Sequence, residues 1–175
     1  KMKTIFTKIS TADVTATDIT KTIKVWDEIV KTKMGTKLDL SNSSLVDNDL
    51  DVIFKYEYPT VANVDLSGNK LTSIEKLKNC PKLTTLNLAN NSLSDVNSLY
   101  GFKSTLTSLN VKNNKLTSCG IIGQFSNVKY LYLDNNSIST ISALNLSKYT
   151  TISLQNQTIN RVVTEDYCNY PNIFA

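Results

Sequence analysis

The chain has 175 residues, a formal net charge of +4 from 19 basic and 15 acidic side chains, and no histidine. The absence of histidine excludes a Ser-His-Asp or Cys-His catalytic arrangement and leaves zinc sites poorly supplied, so we expect a chain without enzyme activity, metal or cofactor. The mild charge is weaker than the basic stripe of a nucleic-acid binder, and no stretch approaches the roughly 18 consecutive apolar residues of a membrane span.

Residues 1–35 are predicted to form an N-terminal helical cap. Apolar side chains recur there at helical spacing: Ile19, Ile23, Trp26, Ile29 and Val30. Thr17 or the pair Thr15-x-x-Asp18 fits the start of this helix, and Gly35 fits its end. The apolar stripe is expected to lie across the first strand of the fold. A face for a partner helix or a membrane surface is the alternative interpretation.

A sequence pattern with the spacing Leu-x-x-Leu-x-Leu-x-x-Asn-x-Leu follows the helix and occurs four times. Its asparagines are 22, 23 and 22 residues apart, at Asn69, Asn91, Asn114 and Asn136. Degenerate copies flank these four, with Ser43 and Gln157 in the asparagine slot. This register is the signature of stacked leucine-rich repeats. The predicted fold is therefore a leucine-rich repeat solenoid, a curved right-handed coil with a parallel β-sheet on its concave face.

About six coils are expected over residues 36–163, followed by a C-terminal cap or a junction to a further domain over residues 164–175. In each coil the asparagine amide is predicted to hydrogen-bond backbone groups at the bend, so that stacked copies form a ladder. The return segments suit short 3₁₀ or helical turns. The first coil is longer, and its acidic stretch through Asp47, Asp49 and Asp51 is interpreted as a surface insertion rather than a calcium loop.

The three cysteines do not form a disulfide framework. Cys80 and Cys119 occupy apolar positions of the repeat and are predicted to be small core side chains. Their coils are two apart, which separates them by about 10 Å, whereas a disulfide needs α-carbons within about 7 Å. Cys168 lies alone in the tail and is predicted to be a free thiol.

Alternation along each strand places three columns of side chains on the concave face. The first is Lys37, Asn63, Thr85, Ser108, Tyr130 and Thr151. The second is Asp39, Asp65, Asn87, Asn110, Tyr132 and Ser153. The third is Ser41, Ser67, Ala89, Lys112, Asp134 and Gln155.

Two neighbouring tyrosines on this face are the leading candidates for a contact site. Tyr130 and Tyr132 both face outward, and exposed tyrosines are enriched in binding hot spots. Lys112 and Asp134 are predicted to form a polar rim beside them. The predicted site also includes four small or polar neighbours: Ser108, Asn87, Asn110 and Asp65. The alternative is that the tyrosines are there because they favour strands.

The repeats resemble the short leucine-rich repeats of bacterial internalins. They carry isoleucine or valine five residues after the asparagine, as at Ile74, Val96 and Ile141. The opening residues 1–4 and the segment 152–159 are similar to the cap region and to the repeat–immunoglobulin junction of that family. The resemblance implies a secreted or cell-surface bacterial protein, expected to be a monomer, whose concave face binds a host or cell-surface protein in adhesion or virulence.

A second hypothesis is an intracellular, cytoplasmic scaffold, because the repeats also resemble those of the regulatory repeat protein of protein phosphatase 1. Carbohydrate or lipid recognition would need several aromatic platforms, and only the two tyrosines qualify. Asn-x-Ser/Thr sequons occur at Asn42, Asn90, Asn135, Asn145 and Asn156. Several lie beside the asparagine ladder, where a glycan is predicted to fit poorly, so the sequons are attributed to composition.

Overall fold

The computed structural model describes residues 16–32, 35–157 and 173–174, with side chains over 19–32 and 35–157. Helix α1 (Ala16–Thr32) precedes a parallel sheet of seven strands in chain order. The strands are β1 (Lys37–Asp39), β2 (Asn63–Asp65), β3 (Thr85–Asn87), β4 (Ser108–Asn110), β5 (Tyr130–Tyr132), β6 (Thr151–Ser153) and β7 (Ile173–Phe174). No helix within these ranges is long and apolar enough to cross a bilayer.

The strand register confirms the predicted repeat alignment. Lys37 lies opposite Asn63, which lies opposite Thr85, and the same row continues through Ser108 and Tyr130. The central residue of every strand from β1 to β6 is buried: Leu38, Val64, Leu86, Leu109, Leu131 and Ile152. β7 falls within residues 164–175, where a cap or junction was predicted. The division of the chain into domains stays a prediction.

An asparagine at the bend joins each coil from the second to the fifth to the coil before it. Asn114 donates from Nδ2 to the carbonyls of Leu88 (2.9 Å) and Val111 (3.0 Å), and its Oδ1 accepts from the N–H of Leu93 at 3.0 Å. The same bonds to the preceding coil are made by Asn69, Asn91 and Asn136. Gln157 substitutes for asparagine in the last described coil, accepting from the N–H of Ile138 at 3.2 Å. The predicted ladder is confirmed.

A second row of residues runs along the outside of the same bend. It consists of Asn42, Gly68, Asn90, Asn113, Asn135 and Asn156, all with φ between 49° and 68°. This left-handed conformation favours glycine and asparagine. At position 68 a Cβ would lie 2.0 Å from Asn42 Oδ1, so the exposed Asn42 side chain occupies the space that the glycine leaves. Exposed amides bond along the row, with Asn113 Nδ2 2.7 Å from Asn90 Oδ1.

The return segments are 3₁₀ turns in three coils, as predicted, over Asn97–Phe102, Gly120–Gln124 and Leu146–Lys148. The first coil is different. Its acidic stretch forms helix α2 (Asp47–Ile53), which buries Leu50 and Ile53 in the core. The prediction of a surface insertion was therefore wrong, because apolar residues three apart place one face of the helix inside.

Asp47 ties α2 to the next coil. Its carboxylate accepts hydrogen bonds from the N–H groups of Thr72 (2.8 Å) and Ser73 (3.1 Å) and from the Thr72 hydroxyl. Burial by itself raises the pKa of Asp47, but these hydrogen bonds stabilise the ionised form more strongly and lower the pKa below its ordinary value. The acidic stretch is thus a structural contact between coils.

Helix α1 packs through a narrower face than the sequence predicted. Val25 and Ile29 join the core, flanked by buried Thr22 and Thr32. Three residues of the predicted stripe are instead exposed: Ile19, Ile23 and Val30. Helical angles explain the difference, since these three lie about 100–140° around the axis from the midpoint between Val25 and Ile29. The helix begins at Ala16, before Thr17, and ends at Thr32, before Gly35, while Thr15 lies outside the described residues.

Polar side chains of α1 bond to the outer edge of β1. Asp39 donates its N–H to Glu28 Oε1 (2.9 Å), Thr32 Oγ1 donates to the Lys37 carbonyl (3.3 Å), and Lys24 Nζ donates to the carbonyl of Ser41 (2.6 Å). Positions 24, 28 and 32 are about 6 Å apart on a helix. Backbone groups on one edge of a strand recur about every 6.6 Å, so the two spacings match.

Both described thiols are buried, as the sequence predicts. Burial raises the pKa of Cys80 to about 12 and that of Cys119 to about 11. A thiol reacts as its thiolate, so neither side chain is reactive in the folded chain at neutral pH. Cys168 lies outside the described residues.

Asn114→Ala is expected to destabilise the fold by about 2–4 kcal/mol, because it leaves buried backbone groups of two coils without partners. The measurement is the free energy of unfolding in urea. Asn113→Gly is the matched control, since Gly68 occupies the same turn position. The control should change stability by less than about 1 kcal/mol. Equal losses in the two variants would contradict the assigned role.

Glu28→Ala is expected to destabilise the chain by about 1 kcal/mol, because the N–H of Asp39 loses its acceptor at the sheet edge. Asp27→Ala removes an exposed acid from the adjacent position and should have a smaller effect. Thermal unfolding followed by circular dichroism compares the two. A larger loss for Asp27→Ala would show that the α1–β1 contacts do not stabilise this end.

In a Cys168→Ser background, a thiol reagent at pH 8 should modify neither Cys80 nor Cys119 until denaturant is added. Both should then react at the rate of a free cysteine, because unfolding restores the ordinary pKa. Fast reaction of either thiol under native conditions would show that its coil opens to solvent.

Candidate protein-binding face

Side chains in the second column of the concave face accept hydrogen bonds from the backbone of their own coils. In four successive coils its residue accepts a hydrogen bond from the N–H two positions later. Asp65 Oδ1 accepts from Ser67 at 2.9 Å, Asn87 Oδ1 from Ala89 at 3.0 Å, and Asn110 Oδ1 from Lys112 at 3.0 Å. These are Asx turns, which fix the direction of the chain as it leaves the strand.

Asp39 makes the same turn in the first coil. Its Oδ1 accepts from the hydroxyl of Ser41 at 2.6 Å and from the Ser41 N–H at 3.0 Å. These two bonds lower the pKa of Asp39 below its ordinary value. The acidic pair at the head of the column, Asp39 and Asp65, is therefore engaged in turns within its own coils.

The Asx pattern stops in the fifth and sixth coils, where Tyr132 and Ser153 stand in its place. Asp134 compensates from the neighbouring coil. Its Oδ1 accepts from the N–H of Gln155 at 2.7 Å and from Ser153 Oγ at 2.6 Å. One carboxylate thus replaces the acceptor that the sixth coil lacks.

Asp134 does not form the exposed polar rim that the sequence predicted. It is only 4% exposed, because it lies past the end of β5 beneath Lys112. Its Oδ2 is 3.4 Å from Lys112 Nζ and makes no hydrogen bond to the described residues. The lysine offsets the buried negative charge, and the carboxylate holds the ammonium group at the surface.

Lys112 connects this ion pair to the aromatic part of the face. Its Nζ lies 5.3 Å from the centroid of the Tyr132 ring, within the range of a cation–π contact. Tyr132 is half-buried, and Tyr130, two residues earlier on β5, is 43% exposed. Ser108 pairs with Tyr130 across β4 and β5. We call Tyr130, Tyr132, Lys112 and Ser108 the tyrosine patch.

The remaining predicted site residues lie progressively farther from this patch. Asn110 pairs with Tyr132 on the adjacent strand, and Asn87 follows one strand beyond. Asp65 lies on β2, three strands from β5 and about 14 Å away at the usual strand spacing. Of the eight predicted residues, the structure therefore groups four at the patch and buries Asp134 beneath it.

Sequence reasoning missed the contribution of Ser153, which it placed on the open face. The structure buries this residue against Asp134. The signal in the sequence was that the Asp and Asn residues of the second column end before the fifth coil, at Asp39, Asp65, Asn87 and Asn110. A turn N–H that lacks such an acceptor needs one from another residue.

A separate cleft of about 500 Å³ lies on the return side of the second and third coils. Glu57, Lys78, Asn79, Phe102 and Thr105 are among its lining residues, and no predicted site residue contributes to it. Its walls mix charged, amide and aromatic groups.

Comparison with known proteins agrees with the fold. Residues 59–101 match a family model described as leucine-rich repeats in two copies, and residues 127–148 match a leucine-rich repeat model. A 66-residue stretch, 37% of this chain, is 41% identical to Tsukushi from Gallus gallus, and it spans 18% of the length of that relative.

The crystal structure of internalin C2 from Listeria monocytogenes superposes on the chain with a TM-score of 0.63 at 18% sequence identity. The alignment covers 85% of this chain and 80% of internalin C2. The family-model matches include β2, β3 and β5, with the ladder residues Asn69, Asn91 and Asn136 and both tyrosines of the patch. The chain is a leucine-rich repeat protein whose fold resembles that of an internalin.

Proposed function

We propose that the chain binds another protein through its concave face, with the tyrosine patch as the principal contact, and that it acts outside the cell or at a cell surface. The observation that carries the proposal is the exposed Tyr130 ring on the same strand as Tyr132, whose ring lies beside a lysine paired with a buried carboxylate. The extracellular location comes from the resemblance to internalins. A bacterial origin and a role in adhesion or virulence stay predictions from the same resemblance.

Two physical properties suit the patch to binding. A tyrosine presents a large, rather rigid surface with one polar end, so little side-chain entropy is lost on contact. Lys112 is already positioned by Asp134 and Tyr132, which lowers the cost of ordering it against a partner. Side chains two residues apart on β5 and one strand away on β4 form one continuous surface.

The side chains around the two tyrosines are suited to exclude water from an interface rather than to supply much of the binding energy. Ser108, Asn110 and Thr151 are half-buried and short, and the oxygen of Asn110 is engaged in its Asx turn. Small, satisfied side chains around an aromatic centre are typical of interfaces in which a few residues supply most of the affinity. The patch therefore combines an aromatic anchor with a surrounding rim of small side chains that have few polar groups left without partners.

Tyr130→Ala combined with Tyr132→Ala is expected to abolish capture of a partner from cell-surface extract, because the double variant removes both rings. Truncation of one hot-spot residue costs about 2 kcal/mol or more, which corresponds to at least about a 30-fold loss of affinity. Retention of the partner on immobilised chain, followed by titration of the identified protein, measures the effect.

Tyr100→Ala is the matched control. Tyr100 is 46% exposed on a 3₁₀ turn of the return side, and Lys103 Nζ lies 4.3 Å from its ring centroid. The control should retain the partner as the unaltered chain does. A partner lost only with Tyr100→Ala would place binding on the return side, where the cleft lies. A partner kept by the double variant would place binding on the return side or on the caps. Capture from cytosolic extract alone would instead favour the intracellular scaffold.

A further inference from the structure

The cleft on the return side is formed by three successive coils. Its lining residues come from the segments 57–59, 77–81 and 98–105, and its volume is about 500 Å³. Neighbouring strands of a sheet lie about 4.8 Å apart, so three coils span about 10 Å. Ligand pockets in proteins typically enclose about 300–1,000 Å³. The cleft is therefore large enough to receive a side chain of a bound molecule.

A small side chain replaces phenylalanine at the floor of this cleft. Cys80 lies eleven residues after the ladder residue Asn69, and the same position of the next two coils is held by Phe102 and Phe125. Phe125 is fully buried, and Phe102 is partly buried against the core. Cys80 is buried as well, but it lacks the ring. The second coil therefore leaves unfilled a space that an aromatic ring occupies in the coils after it.

The third coil widens the same opening. It is one residue longer than its neighbours, and the extra residue lies between Phe102 and Leu106, because the corresponding ranges 80–83 and 125–128 are shorter. Gly101 precedes this longer connection and lines the cleft. A Cβ at Gly101 would have no atom within 4 Å, so the glycine borders open space. A missing ring, an added residue and a glycine thus coincide at one place.

Two opposite charges border the cleft without pairing. Glu57 and Lys78 each precede one partner of a backbone bond between coils, which runs from the N–H of Tyr58 to the carbonyl of Asn79 at 2.9 Å. Both charged side chains are exposed, and neither forms an ion pair with a described residue. An anionic and a cationic group are therefore both available to a ligand at this cleft.

We propose that this cleft binds a segment of a partner polypeptide that inserts an aromatic side chain beside Phe102 and has one basic and one acidic residue next to it. The ring takes the space that the second coil leaves unfilled, against the apolar groups of Leu77 and Pro81. The basic residue pairs with Glu57 and the acidic residue with Lys78.

The shape of the cleft favours a polypeptide over a free small molecule. Pro59, Pro81 and Gly101 are exposed, so the cleft is shallow. Pockets for small molecules bury about 70–90% of the ligand surface, whereas a side chain in a shallow cleft gains further contacts from the residues on either side of it. None of the four residues of the tyrosine patch lines the cleft, so the inference does not depend on the concave-face proposal.

To test the inference, backbone amide NMR signals of the full chain are followed during titration with blocked pentapeptides. The probes are Gly-Lys-Trp-Glu-Gly, Gly-Glu-Trp-Lys-Gly and the same two peptides with alanine in place of tryptophan. We expect a tryptophan peptide to shift the signals of Gly101, Phe102 and Thr105 and to bind about tenfold or more tightly than its alanine counterpart. No shift at these residues, or equal affinity of the two kinds of peptide, would overturn the inference.

The charged part of the inference has its own variant. Glu57→Gln combined with Lys78→Gln should weaken binding of the tryptophan peptide by about two- to fivefold, because exposed ion pairs contribute little energy. Unchanged affinity would contradict recognition of the two charges.

Two further variants fill the cleft. Cys80→Phe restores the phenylalanine of the later coils, and Gly101→Trp places a ring in the open space without a Cβ clash. Both should abolish the shifts in chains that circular dichroism shows to be folded, whereas Gly101→Ala should retain them. Binding that persists in folded Gly101→Trp would overturn the inference.

A last pair of controls separates this site from other surfaces. Tyr130→Ala combined with Tyr132→Ala should bind the tryptophan peptide as the unaltered chain does, so loss of concave-face binding and loss of cleft binding are distinguishable. Shifts at the cleft that depend on the concentration of the chain itself, without peptide, would assign the cleft to a second copy and overturn the partner assignment.

Discussion

One buried carboxamide per turn holds neighbouring coils together, and the rest of the molecule depends on that contact. At the bend after each strand the backbone leaves the sheet, so its N–H and C=O groups need partners from a side chain. An asparagine can donate and accept at once, and Asn114 does both toward the same preceding coil. Serine cannot span that distance, and Ser43 occupies the slot only in the first coil, where no earlier coil exists.

Once the coils are locked in this register, each strand presents two outward side chains in fixed rows. In four coils the side-chain oxygen of the second row accepts the hydrogen bond that completes the turn. These oxygens are therefore less available to contact a partner. The fifth coil gives up that acceptor and gains the area of Tyr132. Asp134 of the same coil supplies the acceptor that the sixth coil lacks, and it positions Lys112. The surface suited to binding therefore lies in the fifth coil, where a tyrosine replaces the Asp or Asn of the four earlier coils.

The alignment of the coils and the rows of outward side chains could be predicted from the sequence, because side chains along a strand alternate with a period of two and the asparagines recur at a fixed place in each coil. The rows beginning at Lys37 and Asp39 follow from that rule alone. Three features did not follow. The face of α1 depends on how the helix lies against β1, the first coil folds as a helix because Leu50 and Ile53 find room inside, and the burial of Asp134 depends on a contact from the next coil. Each is decided by tertiary contact rather than by local pattern.

The bonds from α1 to β1 also bear on what the sheet can do at its first edge. An edge strand with free N–H and C=O groups is a template for pairing with another chain, and proteins protect such edges in several ways. Here Lys24, Glu28 and Thr32 occupy the groups that an incoming strand would need. A second molecule cannot extend the sheet at β1 without first displacing the helix, so this end of the solenoid is guarded against strand-to-strand association in crowded solution.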